Sequence, residues 1–187
     1  IRIESDKLKP NQINNELKKA SGILIPGGFG KRGTDGKIEA IKYARNNKIP
    51  FFGICYGMQM AIIEFARNKL NLKKATSSEF DKKGLPIIGL INEWTKNGKK
   101  FKGTDKDLGG TMRLGSYEAK LKNNSKINKI YGKSSIKERH RHRYEVNIEY
   151  KEKFEKKGMS FSGLSPDGLL PEIIELNNHP WFIGVQF

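Results

Sequence analysis

The 187-residue sequence contains little cysteine and no long apolar run. Cys55 is its one cysteine, and no apolar stretch approaches the roughly 20 residues that a membrane-spanning helix needs. A single cysteine excludes an internal disulfide framework and fits a reducing compartment, so we expect a cytoplasmic protein with no membrane partner. Aromatic residues are well represented, with 10 Phe, 6 Tyr and 2 Trp, and this composition excludes a wholly disordered chain.

Acidic residues are few relative to basic ones. The sequence holds 36 Lys+Arg against 20 Asp+Glu, a formal net charge of +16. A nucleic-acid surface needs its cations clustered on one face, ideally with aromatic residues between them, whereas here the lysines are scattered and many stand beside asparagine. We therefore expect a solvated basic surface and no nucleic-acid partner, although the charge can steer an anionic partner or substrate.

Strand and helix patterns alternate in the first half of the chain. Residues 22–26 and 49–54 are short continuous apolar runs, which are typical of strands buried on both faces. Each run is followed by glycines and then by apolar residues at helical spacing, over 37–47 and 57–70. This order predicts an α/β fold with a mostly parallel central sheet and helices on both faces.

The second half of the chain is richer in strand patterns. A polar loop is predicted at 95–110 and a short exposed helix at 151–157. Strands are expected at 85–91, 117–121, 160–164, 172–176 and 182–187. Those at 85–91 and 182–187 are expected to be buried, and those at 117–121 and 160–164 to be half-exposed. Together these strands predict a smaller antiparallel section within one domain that spans residues 1–187.

Cys55 is the candidate nucleophile, in the sequence Gly53-Ile54-Cys55-Tyr56-Gly57 between a predicted strand and a predicted helix. This G-x-C-x-G pattern is the thiol counterpart of the G-x-S-x-G turn, in which flanking glycines make room for a sharp, strained backbone. The turn places the sulfur at the N-terminus of the next helix, whose partial positive charge is expected to lower the thiol pKa. The alternative is a cysteine that only packs between strand and helix.

A glycine-rich loop, Pro26-Gly27-Gly28-Phe29-Gly30, follows the preceding strand. Because the carboxyl ends of parallel strands gather at one edge of a sheet, we expect Gly28 and Cys55 to meet. The backbone N–H groups of Gly28 and Tyr56 would then form an oxyanion hole for acyl transfer. A phosphate-binding loop is the rival interpretation, but the sequence has neither G-x-G-x-x-G nor G-K-[ST].

Six segments together resemble the class I glutamine amidotransferase domain of CTP synthases, with gaps, from about residue 22 to residue 187. They are residues 26–30, 36–40, 49–59, 107–115, 139–147 and 179–182. The first two are shared loosely by many glutaminase domains, whereas Gly-Gly-Thr-Met-Arg-Leu-Gly (109–115) and Arg-His-Arg-His-Arg-Tyr-Glu-Val-Asn (139–147) are specific to CTP synthases. The resemblance implies a flavodoxin-like class I glutamine amidotransferase fold.

The resemblance also implies a reaction and its residues. Cys55 would form a glutamyl thioester with L-glutamine, which water hydrolyses to glutamate, and the released ammonia would reach a synthase domain that aminates ATP-activated UTP to CTP. Glu79 would receive the substrate's α-ammonium group and Arg143, with Tyr144, its α-carboxylate, through charge-assisted hydrogen bonds. The implied glutamine-binding residues are Gly28, Tyr56, Gly57, Met58, Gln59, Glu79, Arg143 and Tyr144.

No histidine of the sequence is assigned to catalysis. His140 and His142 are spaced like a metal pair on a strand, but flanking cations oppose a metal ion, so we expect a structural or interdomain loop and no metal site. His179, in His-Pro-Trp-Phe, is expected to be structural. By the resemblance, the general-base histidine and its glutamate partner would follow directly after Phe187, and the domain at 1–187 is incomplete at both ends.

The family's cofactors and partners complete these expectations. The resemblance implies no cofactor on this domain, ATP and Mg²⁺ on the synthase domain, and GTP as an activator. It implies L-glutamine and the chain's own N-terminal synthase domain as partners, in a homo-tetramer. Two alternatives stay open, a related Cys hydrolase of the same fold (γ-glutamyl hydrolase-like) and a non-catalytic interaction domain.

Overall fold

A computed structural model of the chain describes residues 1–90 and 112–187, together with the backbone of 94–96 and 99–101. Within these residues the strands are β1 Ile23–Ile25, β2 Phe51–Ile54, β3 Ala75–Ser77, β4 Leu85–Leu90, β5 Trp94–Lys96, β6 Lys99–Phe101, β7 Arg113–Leu121, β8 Ser135–His142, β9 Tyr144–Val146, β10 Met159–Leu164, β11 Pro171–Leu176 and β12 Phe182–Val185. The helices are α1 Ile13–Leu17, α2 Thr34–Asn47, α3 Tyr56–Asn68, α4 Lys126–Tyr131 and α5 Lys151–Lys156, with a 3-10 turn at Ile148–Tyr150.

The main sheet has the strand order β1-β2-β12-β11-β10-β7-β8. β1, β2 and β12 are parallel neighbours, and the strands from β12 to β8 pair antiparallel. A second sheet has the order β3-β4-β9, and β5 pairs with β6 as a hairpin. The predicted α/β fold is confirmed, and its antiparallel section extends over more of the sheet than expected, because antiparallel neighbours such as β10 and β11 need no crossover helix between them.

The main sheet buries apolar side chains on both faces. Alternation along β2 puts Phe51 in the core that α2, α3 and α5 cover, and puts Phe52 and Ile54 against the cluster that contains Ile127 of α4. Helices therefore lie on both faces of the sheet. In the described part of the chain no helix is long and apolar enough to cross a membrane.

Several strand predictions need correction for burial. The strand predicted at 22–26 is β1, but it is not buried on both faces, because it lies at the sheet edge and Leu24 keeps 59% of its surface exposed. The strand expected to be half-exposed at 160–164 is β10, and it is almost wholly buried because it lies inside the sheet with both faces covered. β4 is only partly buried, since it belongs to the smaller sheet.

The loop predicted at 95–110 contains a hairpin. β5 and β6 occupy 94–96 and 99–101, and the rest of the predicted loop lies outside the described residues. Helix α2 begins at Thr34, three residues earlier than its apolar spacing suggested, after Gly33 in a left-handed conformation. The helix predicted at 151–157 is α5, whose Phe154 is fully buried against Phe65 and Phe161.

Candidate active site

Cys55 occupies the turn between β2 and α3 with a backbone of φ 50° and ψ −101°, a strained conformation for a residue with a side chain. The flanking glycines make this turn possible. A Cβ on Gly53 would lie 2.8 Å from the backbone of Gly57, and a Cβ on Gly57 would lie 2.1 Å from the Ile25 carbonyl oxygen. Such strain costs about 1–3 kcal/mol and is concentrated at functional sites, so the turn supports a nucleophile at Cys55.

The Cys55 thiol lies at a pocket of about 270 Å³. The described residues that line this pocket, called here the thiol pocket, are Gly28, Phe29, Cys55, Gln59, Glu79, Met112, Arg141, His142, Arg143 and Tyr144. Beside the thiol, the amide Nε2 of Gln186 lies 3.7 Å from Sγ. The pocket therefore combines a thiol with charged and amide side chains.

The pKa of the Cys55 thiol is raised to about 11, not lowered as the sequence suggested. Burial is the main cause, and the negative charges of Glu145 and Glu79 add to it. The backbone N–H of Tyr56 and the side chain of Gln186 act in the opposite direction, but less strongly. The helix N-terminus thus does not offset the loss of hydration, and the thiol needs a base to become a nucleophile.

The glycine-rich loop lies against the Cys55 turn. A Cβ on Gly27 would be 3.9 Å from the Cys55 Cβ, and Gly28 lines the thiol pocket with Cys55, so the two segments meet where the sequence placed them. Gly30 has a positive φ of 73°, and its N–H donates to Glu79 Oε1 at 2.7 Å. The Tyr56 hydroxyl donates to the Gly30 carbonyl oxygen.

Opposite charges face the same pocket. Burial raises the pKa of Glu79, while the hydrogen bond from the Gly30 N–H lowers it to a lesser extent. The buried Nη1 of Arg143 has no hydrogen-bond partner among the described residues. Because a buried guanidinium N–H without a partner is costly, this group is suited to bind an anion that enters the pocket.

Only part of the segment after Cys55 reaches the thiol pocket. Gln59 lines it, and its Nε2 donates to the Tyr144 carbonyl oxygen at 2.9 Å. Tyr56, Gly57 and Met58 are buried in the first turn of α3 and are not among the described residues that line the thiol pocket, so their part in binding glutamine stays a prediction. The cause of their burial is the close packing of the first helical turn on β1 and on the sheet.

Five buried polar residues, called here the Arg113 cluster, lie next to the thiol pocket. They are Arg113, His140, His142, Glu145 and Glu172. The guanidinium of Arg113 binds Glu145 at 3.1 Å and Glu172 at 2.8 Å. His140 Nδ1 is 2.9 Å from His142 Nε2, and the two rings approach Glu172 Oε2 at 3.5 Å and Glu145 Oε1 at 3.3 Å.

The Arg113 cluster corrects the expectation for the two histidines. They lie on β8 within the sheet and not in an interdomain loop, because alternation along β8 turns both side chains inward. Burial, and after it the charge of Arg113, lowers the pKa of His140 to about 4 and that of His142 to about 3, so both rings are neutral at pH 7. In the described residues no group of three or more His, Cys, Asp or Glu side chains could hold a metal ion.

His179 lies away from the thiol pocket. Its Nε2 is 3.1 Å from the Ala44 carbonyl oxygen, and its Nδ1 accepts the Trp181 backbone N–H at 3.2 Å. The ring thereby joins α2 to the start of β12.

A larger cavity of about 400 Å³ lies between β4, β9 and residues 169–170. Glu145, which affects the pKa of Cys55, is one of its lining residues. Its described lining residues include no cysteine, lysine or histidine. The smaller thiol pocket is the better candidate for chemistry because it contains Cys55 in its strained turn.

The sequence did not point to Gln186, Glu145 or Arg113. Gln186 reaches Cys55 because β12 pairs with β2 in parallel, with Val185 opposite Ile54. A pairing between strands about 130 residues apart leaves no local pattern in the sequence. The buried histidines of β8, by contrast, could be predicted from the sequence, since histidines and arginines alternate along this strand.

The comparisons with known proteins agree with this geometry. The sequence model of class-I glutamine amidotransferases matches residues 2–187. The CTP synthase of Pelagibacter ubique (strain HTCC1062) is 83% identical over 187 residues, and that of Rhodospirillum rubrum 54% identical over 188 residues. Both alignments cover 100% of this chain but 35% of the relative, so the chain spans about a third of the length of these relatives.

A solved structure is also similar to this chain. The structure described as "Trypanosoma brucei CTPS - glutaminase domain with bound acivicin" superposes with a TM-score of 0.87 at 34% identity, over 100% of this chain and 71% of that chain. With a family match that covers nearly every residue and a close structural relative, the assignment is settled at the level of the family. The chain belongs to the class-I glutamine amidotransferases.

Proposed function

We propose that this chain is the glutaminase domain of a CTP synthase and hydrolyses L-glutamine to glutamate and ammonia. One observation carries the proposal: Cys55, in a strained turn, shares a pocket with Glu79 and with Arg143, whose Nη1 has no hydrogen-bond partner in the described residues. The identity with the CTP synthases of Pelagibacter ubique and Rhodospirillum rubrum supports the choice within the family.

The pocket fits the two charged ends of a free amino acid. Glu79 would bind the α-ammonium group, because its carboxylate lines the pocket and is held in place by the Gly30 N–H. Arg143, with Tyr144 beside it, would bind the α-carboxylate through the Nη1 that has no partner in the described residues. A zwitterion held at both ends leaves its side-chain amide free to reach Cys55.

Cys55 Sγ would attack the carbonyl carbon of the glutamine side-chain amide. The C–S bond forms, the C–N bond breaks, and the nitrogen leaves as ammonia after it gains the proton that the thiol gave up. Water then adds to the thioester carbonyl and releases glutamate and the free thiol. The backbone N–H groups of Gly28 and Tyr56 would stabilise the negative oxygen in both steps.

The thiol needs a base, since burial raises its pKa to about 11. By the family resemblance the base is a histidine, assisted by a glutamate, directly after Phe187. The position of Gln186 supports this, because its side chain already touches Cys55 and β12 runs parallel to β2. A residue that follows Phe187 in a longer chain would therefore lie at the same edge of the sheet as the sulfur.

The activity of the whole protein is a further part of the proposal. The relatives are about three times as long as this chain, which leaves room for a synthase domain that uses the ammonia to convert UTP to CTP. ATP and Mg²⁺ would act on that domain and GTP would activate glutamine hydrolysis. The complete enzyme would be a cytoplasmic homo-tetramer.

Labelling of the full-length protein with the glutamine analogue 6-diazo-5-oxonorleucine tests the proposal. We expect one adduct, located on Cys55 by peptide mass spectrometry, and loss of glutamine hydrolysis in step with labelling. The Cys55→Ala variant should remain folded, lose glutamine-dependent CTP formation and keep ammonia-dependent CTP formation. A folded protein that neither reacts with the analogue nor hydrolyses glutamine would contradict the proposal.

A further inference from the structure

We propose that Tyr56 is a positioning residue for glutamine hydrolysis, whose side chain fixes the loop at residues 27–30 so that the Gly28 N–H faces the reacting carbonyl. The inference rests on the proposed glutaminase function. It concerns a side chain that lies outside the thiol pocket and that would act through the loop and not on the substrate.

Two hydrogen bonds hold Gly30, the last residue of this loop. The Tyr56 hydroxyl donates to the Gly30 carbonyl oxygen, and the Gly30 N–H donates to Glu79 Oε1 at 2.7 Å. Gly30 has a φ of 73°, a conformation that its own chain does not enforce, since glycine is the most flexible residue. Fixing both backbone polar groups of Gly30 therefore restricts the whole loop.

The ring of Tyr56 lies beside the same loop. Tyr56 is only 2% exposed, and a Cβ built on Gly28 would lie 3.7 Å from Tyr56 Cδ1 and 3.9 Å from Cγ. A side chain on Gly28 would thus touch the ring, which lies on the Cβ side of this residue. Burial, with the nearby charge of Glu79, raises the pKa of the phenol, so the hydroxyl stays protonated and keeps donating.

Tyr56 also carries the other proposed oxyanion donor. Its backbone N–H lies at the Cys55 turn and lowers the pKa of the thiol. One residue at the start of α3 therefore fixes its own N–H through the helix and the Gly28 N–H through its side chain. This links the spacing of the two donors to a single, rigidly packed residue.

The Tyr56→Phe variant of the full-length enzyme tests the inference, since it removes the hydroxyl and keeps the ring. We expect kcat for glutamine hydrolysis to fall by about tenfold to a hundredfold, somewhat less than the loss of a whole oxyanion donor. KM should change by less than about threefold, because the groups proposed to bind the α-ammonium and α-carboxylate are still present. Tyr43→Phe is the matched control, since the Tyr43 hydroxyl bonds Asn14 far from the loop.

Alkylation of Cys55 by iodoacetamide separates positioning from a general structural effect. Displacement of iodide by the thiolate forms no oxyanion, so its rate in Tyr56→Phe should equal the wild-type rate. Hydrogen exchange of the amides at 27–30 should become faster, with the melting temperature nearly unchanged. Wild-type kcat in Tyr56→Phe, an unfolded variant, or an equal fall in kcat and in alkylation would each overturn the inference. If the wild-type enzyme is alkylated but does not hydrolyse glutamine, the proposed function fails as well.

Discussion

The side-chain amide of Gln186 lies 3.7 Å from the Cys55 sulfur, across the neighbouring parallel strands β12 and β2. It is a neutral donor in a site where burial is the main cause that raises the thiol pKa, with smaller contributions from the carboxyl groups of Glu145 and Glu79. A neutral donor stabilises a thiolate less than burial destabilises it. The described part of the site thus holds Cys55 as a thiol at pH 7.

The alkylation rate of Cys55 in the 187-residue chain should depend steeply on pH. Because the thiol pKa is about 11, the thiolate fraction and the rate with iodoacetamide should rise about tenfold per pH unit from pH 7 to 10. The Gln186→Leu variant should react more slowly at pH 8, and Gln12→Leu, on the exposed surface, should react like the wild type. A rate that levels off between pH 7 and 8 would contradict a raised pKa.

Arg143 should determine the affinity for glutamine. A charge-assisted hydrogen bond to a carboxylate contributes about 1.5–3 kcal/mol, so we expect Arg143→Met in the full-length enzyme to raise KM by roughly tenfold to a hundredfold. Arg139→Met is the matched control, since that side chain is exposed on β8. Steady-state kinetics with L-glutamine measures both. Equal KM values in the two variants would show that Arg143 does not bind the substrate.

Glu145 should make the fold less stable as the pH rises. Burial raises its pKa from 4.5 to about 8, although Arg113 acts in the opposite direction. Between these two pH values the folded state holds a proton that the unfolded state has lost, so the contribution to stability is present below pH 4.5 and is lost as the pH approaches 8. The Glu145→Gln variant cannot ionise at this position and should lose less stability over the same range.

Melting temperatures at pH 5 and pH 8 test this difference. We expect the decrease from pH 5 to pH 8 to be several degrees larger in the wild type than in Glu145→Gln. Glu152→Gln, at an exposed position of α5, should behave like the wild type. A decrease of the same size in wild type and Glu145→Gln would refute the raised pKa.

Gly57 is expected to tolerate no side chain. Its Cβ would lie 2.1 Å from the Ile25 carbonyl oxygen, and the residues of the first turn of α3 are buried. We expect Gly57→Ala to destabilise the fold by about 1–3 kcal/mol or more in urea unfolding, because overpacking shifts the backbone. Gly22→Ala is the control, since its nearest neighbour would be 3.6 Å away. An unchanged stability of Gly57→Ala would mean that the turn is not tightly packed.

The predictable part of the fold and site was local in sequence. The apolar runs and helical spacing before and after Cys55 identified β1, β2, α2 and α3, and the glycines at 53 and 57 identified the strained turn. Burial was less predictable. The β1 and β10 predictions were wrong in burial because exposure depends on whether a strand lies at the edge or in the middle of the sheet, which periodicity does not report.

The sequence by itself determined where the candidate nucleophile stands in the chain, because the strained turn at Cys55 needs glycines on both sides and those glycines are visible in the sequence. Tertiary structure alone decided which distant groups surround that sulfur. Gln186 reaches it through the parallel pairing of β12 with β2, and Glu145 stands on β9 of the smaller sheet and binds Arg113 of the main sheet. Their effect on the thiol pKa is set by burial and by distances in space, and those arise only when strands far apart in sequence pack together.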